Sequence, residues 1–297
     1  MNKILVLFGI LLFTQCNASA QKINSINQAD ALITAFVADQ KIPGLAATVY
    51  QKGEIVWSKG YGYADLEHLV KVDPSKTKFR IGSVSKTLTA SALGRLMDTK
   101  DVDLDAPIQK YVPDFPKKKY DLSMRQLGGH IAGIRHYKGG EFMSTKHYPT
   151  VADGLSIFDE SPLLFEPGTD YQYSSYGWNL LSAGIEGISG ETFLDYIYRE
   201  VFEELELDNT LAEYPDAIID HRTSYYINKR EGTVNAPFVD NSYKWAGGGF
   251  LSTAHDMIKY GIAHMEPGYL SAETLAELQS PQNLTSCLLY TSDAADD

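Results

Sequence analysis

Two residues in this chain have the types and spacing for nucleophilic catalysis: Ser83 and Lys86, within Arg80-Ile81-Gly82-Ser83-Val84-Ser85-Lys86-Thr87. A serine hydroxyl is a weak nucleophile until a neighbouring base takes its proton. A lysine partly desolvated among apolar side chains has a lowered pKa suited to that task. The next stretch, Thr87 to Asp98, carries Leu88, Ala92, Leu93 and Leu96 at helical spacing, so it predicts a helix buried on most sides. Positions i and i+3 of a helix share a face, which brings the serine and the lysine together. A serine at the helix N-terminus also turns its own backbone N–H and the helix dipole towards a developing oxyanion. Ser-x-x-Lys alone is a weak signal, because about one chance match is expected at this length and composition. Ser75-Lys76-Thr77-Lys78 is such a match; it follows the turn Asp73-Pro74, has no buried helix behind it and reads as a solvated loop.

The elements that must hold the pair are legible around it. Ala29 to Gln40 has Ala29, Leu32, Ile33 and Phe36 on one helical face and ends at Lys41-Ile42-Pro43-Gly44. Leu45 to Gln51 and Glu54 to Tyr61 predict two strands joined by a hairpin at Lys52-Gly53. Met124 to Gly129 predicts a short helix, and Trp178 to Ser189 and Thr192 to Leu205 predict two more, split by Gly190. Trp245 to Leu251 is a Gly-rich approach to another helix, capped by Ser252 or Thr253 and running from Asp256 to His264. Strands at the start and a helical block in the middle predict an α/β (α+β) architecture, a sheet layer with an inserted helical domain. The 297 residues suffice for one large core or two closely joined ones, and the net charge of −12 opposes binding to nucleic acid or anionic lipid surfaces.

A second motif decides between chance and design. Glu166-Pro167-Gly168-Thr169 is followed by Tyr171-Gln172-Tyr173-Ser174-Ser175-Tyr176-Gly177-Trp178, roughly ninety residues after Ser83. Ser-x-x-Lys, then Pro-Gly-Thr, then Tyr-Ser-Ser and a helix, resembles the serine β-lactamases of the class C type and their penicillin-binding relatives. The similarity covers nearly all of Ile42 to Ala263, with support from Phe79-Arg80-Ile81-Gly82-Ser83, Leu104-Asp105-Ala106-Pro107, His130-Ile131-Ala132-Gly133-Ile134 and Gly247-Gly248-Gly249-Phe250-Leu251-Ser252-Thr253-Ala254. The resemblance implies a β-lactamase/transpeptidase-like fold, an antiparallel sheet flanked by helices plus a helical domain. It also implies the roles: Ser83 is acylated, Lys86 is its partner, and Tyr173 shuttles protons between serine, lysine and leaving group. A phenol with a pKa near ~10 needs a cation beside it to act as a base at neutral pH.

Three departures from the family pattern matter. Ser175 stands where the family has Asn; a hydroxyl replaces an amide that both donates and accepts. The same replacement, with Ile134-Arg135-His136-Tyr137 and Tyr176-Gly177-Trp178-Asn179-Leu180-Leu181-Ser182-Ala183, resembles the mitochondrial serine β-lactamase-like proteins of animals and points to peptide or ester hydrolysis. Leu127-Gly128-Gly129-His130-Ile131-Ala132-Gly133 replaces the usual Leu-Leu-x-His-Thr-Ser-Gly. Lys-Thr-Gly or His-x-Gly, which in the family borders the second oxyanion N–H, has no counterpart after the helix that ends near His264. The expectation is therefore a fold whose C-terminal strands are missing, half an oxyanion hole, an exposed apolar sheet edge and little turnover by this chain.

The two ends fit that expectation. Lys3, the apolar run Ile4 to Phe13 and Ala18-Ser19-Ala20 read as an export signal over residues 1–20, too short to span a bilayer and incompatible with stable membrane insertion once cleaved. The implied location is periplasmic or secreted; lipid attachment at Cys16 is a rival, poorly matched by Phe13-Thr14-Gln15. The final residues 287–297 resemble a translated sequencing adapter, which leaves residues 21–286 as the hydrolase domain. Cys16 and Cys287 are the two cysteines, so the domain itself has neither thiol chemistry nor a disulfide.

Rival chemistries lack their residues. His130 and His136 are six apart and His255 and His264 nine apart, without His-x-His-x-Asp-His, so no metal is implied and these histidines read as loop or surface groups. Gly-x-Ser-x-Gly of an α/β-hydrolase is absent around Ser83, and no cofactor is called for. Two functions stay open: a serine hydrolase acting through an acyl-enzyme on a peptide, amide, ester or β-lactam bond of a small-molecule or peptide substrate, and a catalytically impaired binding or scaffold protein. Oligomeric state leaves no signature in the sequence.

Overall fold

A computed structural model of the chain describes residues 26–282 together with Leu284. The export signal at residues 1–20, both cysteines and the tail at 287–297 lie outside the described residues. In chain order the elements are α1 (Ile26–Asp39), β1 (Gly44–Gln51), β2 (Glu54–Asp65), β3 (Val70–Lys71), β4 (Phe79–Arg80), α2 (Ser85–Thr99), α3 (Met124–Gly128), α4 (Val151–Leu155), α5 (Ser175–Ser189) and α6 (Phe193–Ile197). They continue with β5 (Leu211–Ala212), β6 (Tyr226–Lys229), β7 (Gly232–Asn235), α7 (Trp245–Gly248), β8 (Phe250–Ser252), α8 (Ala254–Met265) and α9 (Ala272–Leu278). No described helix is long and apolar enough to cross a membrane.

The first hairpin forms as its turn residues dictate. Lys52 and Gly53 take φ of 53° and 93°, the left-handed pair that matches strand twist, and set the antiparallel register from Gln51↔Glu54 to Gly44↔Gly62. β3 extends this into a three-stranded sheet ordered β1-β2-β3. α1 is tied to β2 by Asp30, whose Oδ1 accepts from Lys59 Nζ at 2.6 Å and from Tyr61 Oη at 2.7 Å. Ile26, Leu32 and Phe36 of α1 and Val49 and Ile55 of the hairpin are about half exposed.

A second small sheet, ordered β4-β8-β5, presents the nucleophile segment. β4 pairs antiparallel with β8 through Phe79↔Ser252 and Arg80↔Leu251, so the chain leaves β4 directly into Ile81-Gly82-Ser83. The Gly-rich stretch before α8 is more than the approach its sequence suggests. Trp245–Gly248 makes the helical turn α7 and Phe250–Ser252 makes the central strand β8. The cap of α8 is Thr253, whose Oγ1 accepts the Asp256 N–H at 3.1 Å, while Ser252 is buried against Thr210. The helix expected over 192–205 is α6 continued by a wider turn, Tyr198–Glu203.

α5 is the axis of the helical block and packs against α2, α3, α4 and α7. Leu88, Leu96, Met124, Leu127, Tyr176, Leu180, Ile185, Phe193 and Phe250 are fully buried around it. Gly187 lets the helix touch the chain beside it: an added Cβ would collide with the Tyr111 carbonyl. Gly261, in α8, has nothing within 4 Å of that position. Alanine is preferred over glycine in a helix interior by about 1 kcal/mol. Thermal denaturation should therefore show Gly261→Ala raising Tm and Gly187→Ala lowering it; equal shifts would contradict the packing.

Candidate active site

Ser83 lies in the 3-10 turn Gly82–Val84, with Gly82 at φ 50° turning the chain from β4 into α2. The Ile81 N–H donates to Phe250 O at 3.2 Å and the Val84 N–H to Ile81 O at 3.1 Å, which fixes the serine one step before the helix. Ser83 is exposed to the cleft, and Lys86, in the first turn of α2, is 6% exposed. Lys86 Nζ is 3.2 Å from Ser83 Oγ, 3.2 Å from Ser175 Oγ and 2.6 Å from Gly247 O. The last contact needs a glycine: a Cβ on Gly247 would sit 3.0 Å from Ser175 Cβ and O.

Tyr173 closes the group. Its Oη is 2.6 Å from Ser83 Oγ, and its ring lies over Lys86 Nζ at 4.7 Å. Tyr173 precedes Ser174, the N-cap of α5, whose Oγ accepts the Gly177 N–H at 3.0 Å and donates to Arg135 O at 2.8 Å. The approach to Tyr173 is held along the 130–133 segment by Leu164 N–H to Gly133 O, Gly168 N–H to Ile131 O and Gln172 N–H to His130 O. His130 Nδ1 accepts the Ser174 N–H at 3.1 Å and His136 Nδ1 accepts the Ser175 N–H at 3.2 Å. A backbone N–H only donates, so in these bonds both Nδ1 atoms carry lone pairs.

The electrostatics follow from burial without acids. Desolvation, reinforced by the charge of Lys244, pulls Lys86 down to about 7. Lys244, 5% exposed, is itself lowered to about 8 by desolvation and by Arg80, against a smaller opposing pull from Glu213. Its Nζ is 4.2 Å from the Phe142 ring centroid, 5.1 Å from that of Tyr243 and 5.3 Å from that of Tyr137, so three aromatic faces surround the ammonium. Burial, then the charges of Lys86 and His136, hold His130 down at about 3. Burial pushes the Tyr137 phenol up to about 12.

A cleft of about 370 Å³ opens on Ser83, Tyr173, Ser175, Lys244 and Gly247, with Phe142, Met143, Ile227 and Pro237 as its apolar lining. Arg80 is neutralised by Glu213 through bonds of 2.7 and 2.9 Å, and Glu213 also accepts from Asn241 Nδ2 at 2.6 Å and Tyr225 Oη at 3.0 Å. The Asn241 Oδ1 beside them is buried without a partner.

All four residues singled out in the sequence, Ser83, Lys86, Tyr173 and Ser175, therefore meet. Ser175, in place of the family's Asn, still reaches Lys86 through its hydroxyl. The second Ser-x-x-Lys is differently placed than expected: Ser75 bonds Asp73 at 2.7 Å, but Lys78 is buried rather than solvated, its Nζ donating to Asn209 Oδ1 at 2.9 Å and to Asp220 O. His130 and His136 are loop residues, as read, but they face the site rather than the surface. Lys244 was not singled out, although Ser242-Tyr243-Lys244-Trp245 directly precedes the Gly-rich signal. Among the described residues no strand follows β8.

The family described as Beta-lactamase matches residues 29–286. The chain is similar to the human protein named "Serine beta-lactamase-like protein LACTB, mitochondrial", 32% identical over 80% of this chain and 59% of the relative. It is similar also to "Protein flp" of Staphylococcus aureus, 27% identical over 63% of this chain and 38% of that protein. The chain thus spans about three fifths of the length of the first of these relatives or less. Among solved structures, the octameric penicillin-binding protein homologue from Pyrococcus abyssi superposes with a TM-score of 0.72 at 25% identity, over 84% of this chain and 59% of that one. The D-amino acid amidase from Ochrobactrum anthropi SV3 shares the fold, with a TM-score of 0.75 at 22% identity over 84% and 74%.

The burial that keeps protons off His130 makes stability depend on pH. Between about 3 and the ordinary 6.5, the unfolded chain binds a proton at this residue that the folded chain does not, so stability is full above 6.5 and falls as pH drops. Tm measured by circular dichroism should decline from pH 7.5 to 4.5, and less steeply in His130→Asn. Parallel declines would show that the imidazole is not held neutral.

Proposed function

We propose, because this chain belongs to the beta-lactamase family, that it is a serine hydrolase working through an acyl-enzyme, with Ser83 as nucleophile, Lys86 as base and Tyr173 as proton carrier. The observation that supports this most is the Ser83 hydroxyl set between a phenol at 2.6 Å and a buried lysine at 3.2 Å that has no carboxylate among its hydrogen-bond partners. With its pKa lowered to about 7, Lys86 is a free amine in a large fraction of molecules at neutral pH. In the first step Ser83 Oγ attacks the substrate carbonyl carbon and its proton passes to Lys86 Nζ, directly or by way of Tyr173. The oxyanion forms beside the Ser83 backbone N–H at the helix entrance, where the macrodipole favours negative charge. As the tetrahedral adduct collapses, the bond to the leaving group breaks and Tyr173, backed by the new Lys86 ammonium, supplies its proton. Water then releases the acyl group by the reverse sequence.

Ser175 and Gly247 have a ground-state role in this scheme. Their oxygens orient the amine towards Ser83, and neither carries a charge that would hold the proton on Lys86. The apolar lining suits an acyl substrate with an apolar group, and Lys244 offers the cleft a cation for an anionic one. Peptide, amide, ester and β-lactam bonds all pass through the same acyl-enzyme. The proposal includes export by residues 1–20.

A fluorophosphonate probe, read by intact mass, tests the nucleophile without requiring turnover. The wild-type chain should gain one adduct on Ser83, Ser83→Ala none, and Lys86→Met should label about 10²–10⁴-fold more slowly, the usual contribution of a positioned base. Labelling that persists in Ser83→Ala sinks the assignment; an unlabelled wild type favours the binding or scaffold reading. The labelling rate should rise with pH through about 7 as Lys86 loses its proton. Lys244→Met removes a charge that lowers that value, so it should move the midpoint upwards; a downward move would contradict the electrostatic account.

A further inference from the structure

We propose that His130 is a positioning residue for Tyr173, gripping the chain before it, at it and after it. The inference rests on the acyl-enzyme reading, in which Tyr173 must meet Ser83 Oγ at the moment of proton transfer. Tyr173 sits one residue outside the cap of α5, and Ser174 has extended backbone at φ −147° and ψ 114°, so the helix ladder does not hold it. Both flanking N–H groups go to His130: Gln172 N–H to its carbonyl at 3.0 Å and Ser174 N–H to its Nδ1 at 3.1 Å. Between them, the His130 imidazole faces the Tyr173 ring with centroids 4.4 Å apart and planes 35° off parallel. His136 adds a lateral stop, its ring edge-on to Tyr173 at 5.5 Å while its Nδ1 takes the next N–H, that of Ser175.

The geometry is held at a backbone cost. His130 adopts φ 60°, a left-handed conformation uncommon for a residue with a β-carbon, though histidine and asparagine tolerate it better than most. Glycine would relieve that conformation, and its absence here fits a need for the side chain. The imidazole supplies a neutral acceptor and a flat face together, beside Lys86, where an anionic acceptor would hold the lysine protonated. Proton transfer depends steeply on placement, so a Tyr173 that swings away from Ser83 slows acylation even with every reacting group present.

Asparagine and glycine both accept the left-handed backbone, and asparagine Oδ1 lies the same number of bonds from Cα as histidine Nδ1, so the two variants isolate the acceptor. The full chain carrying His130→Gly should lose about 10²-fold in the maximal rate of fluorophosphonate labelling at Ser83, with the half-saturating probe concentration little changed, on the scale of a misplaced proton-transfer group. His130→Asn should recover most of that rate. Amide hydrogen exchange read by NMR should show faster exchange at Ser174 in His130→Gly than in wild type, with His130→Asn between them. Wild-type labelling and wild-type exchange in His130→Gly would overturn the clamp, as would a loss confined to probe affinity. A wild-type chain that takes no label at Ser83 breaks the acyl-enzyme reading instead, and Ser174 exchange then decides the clamp by itself.

Discussion

A lysine amine taken out of water with no carboxylate to pair it is the constraint around which this molecule is arranged. Lys86 is 6% exposed, and its hydrogen-bond partners are two hydroxyls and a peptide carbonyl. Each is a weaker partner for an ammonium than a carboxylate, so burial is left to lower the proton affinity. The surroundings are consistent with that use. Glu213 is spent on Arg80, Asn241 and Tyr225, and Glu141 on Arg135 and Tyr176, so these nearby acids are tied up elsewhere. Lys244 adds a second cation whose charge lowers Lys86 further.

Close packing of small groups makes this possible. α7 can lay the Gly247 carbonyl on Lys86 because neither Gly247 nor Ser175 has bulk to keep the two helix ends apart. An asparagine at 175, the residue of the family pattern, would place an amide in that gap; here the Ser175 hydroxyl and the Gly247 carbonyl meet the amine. The histidines solve the opposite problem. Ser174 and Ser175 present backbone N–H groups at the start of α5 that need acceptors, and the Nδ1 atoms of His130 and His136 provide them without bringing negative charge near the lysine. The proposed chemistry therefore draws on three features of one site: a poorly paired amine, a phenol held against the serine, and acceptors that bring no negative charge.

Local pattern made part of this legible beforehand. The first hairpin follows from Lys52-Gly53, α2 from the apolar spacing of Leu88, Ala92 and Leu96, and the Ser83–Lys86 contact from the geometry of a single turn. Tyr173 and Ser175 became identifiable through motif order, because nothing in their own neighbourhood separates them from other tyrosines and serines. What the sequence hid was convergence. Lys244 lies 158 positions from Lys86, and two of the three rings around it, those of Tyr137 and Phe142, come from a distant segment. The Gly-rich stretch at 245–251 reads only as the approach to a helix, because short strands such as β8 owe their existence to partners at 79–80 and 211–212 rather than to propensity. Lys78 looked solvated for the same reason: Asn209 and the Asp220 carbonyl, which bury it, are far along the chain. His130 lies in the motif at Leu127 to Gly133, but its left-handed backbone and its contacts on both sides of Tyr173 are properties of the folded loop.

Burial of Lys86 should leave a large fraction of it as free amine near neutral pH, and titrating that side chain tests this directly. Isotope labelling of lysine, with Lys86 assigned by comparison with Lys86→Arg, allows its Nζ and Cε resonances to be followed from pH 5 to 11. The account predicts a midpoint near 7, well below the ordinary 10.5. A midpoint at or above 10 would mean that the amine stays protonated beside Ser83, and the proposed base would have to be sought elsewhere.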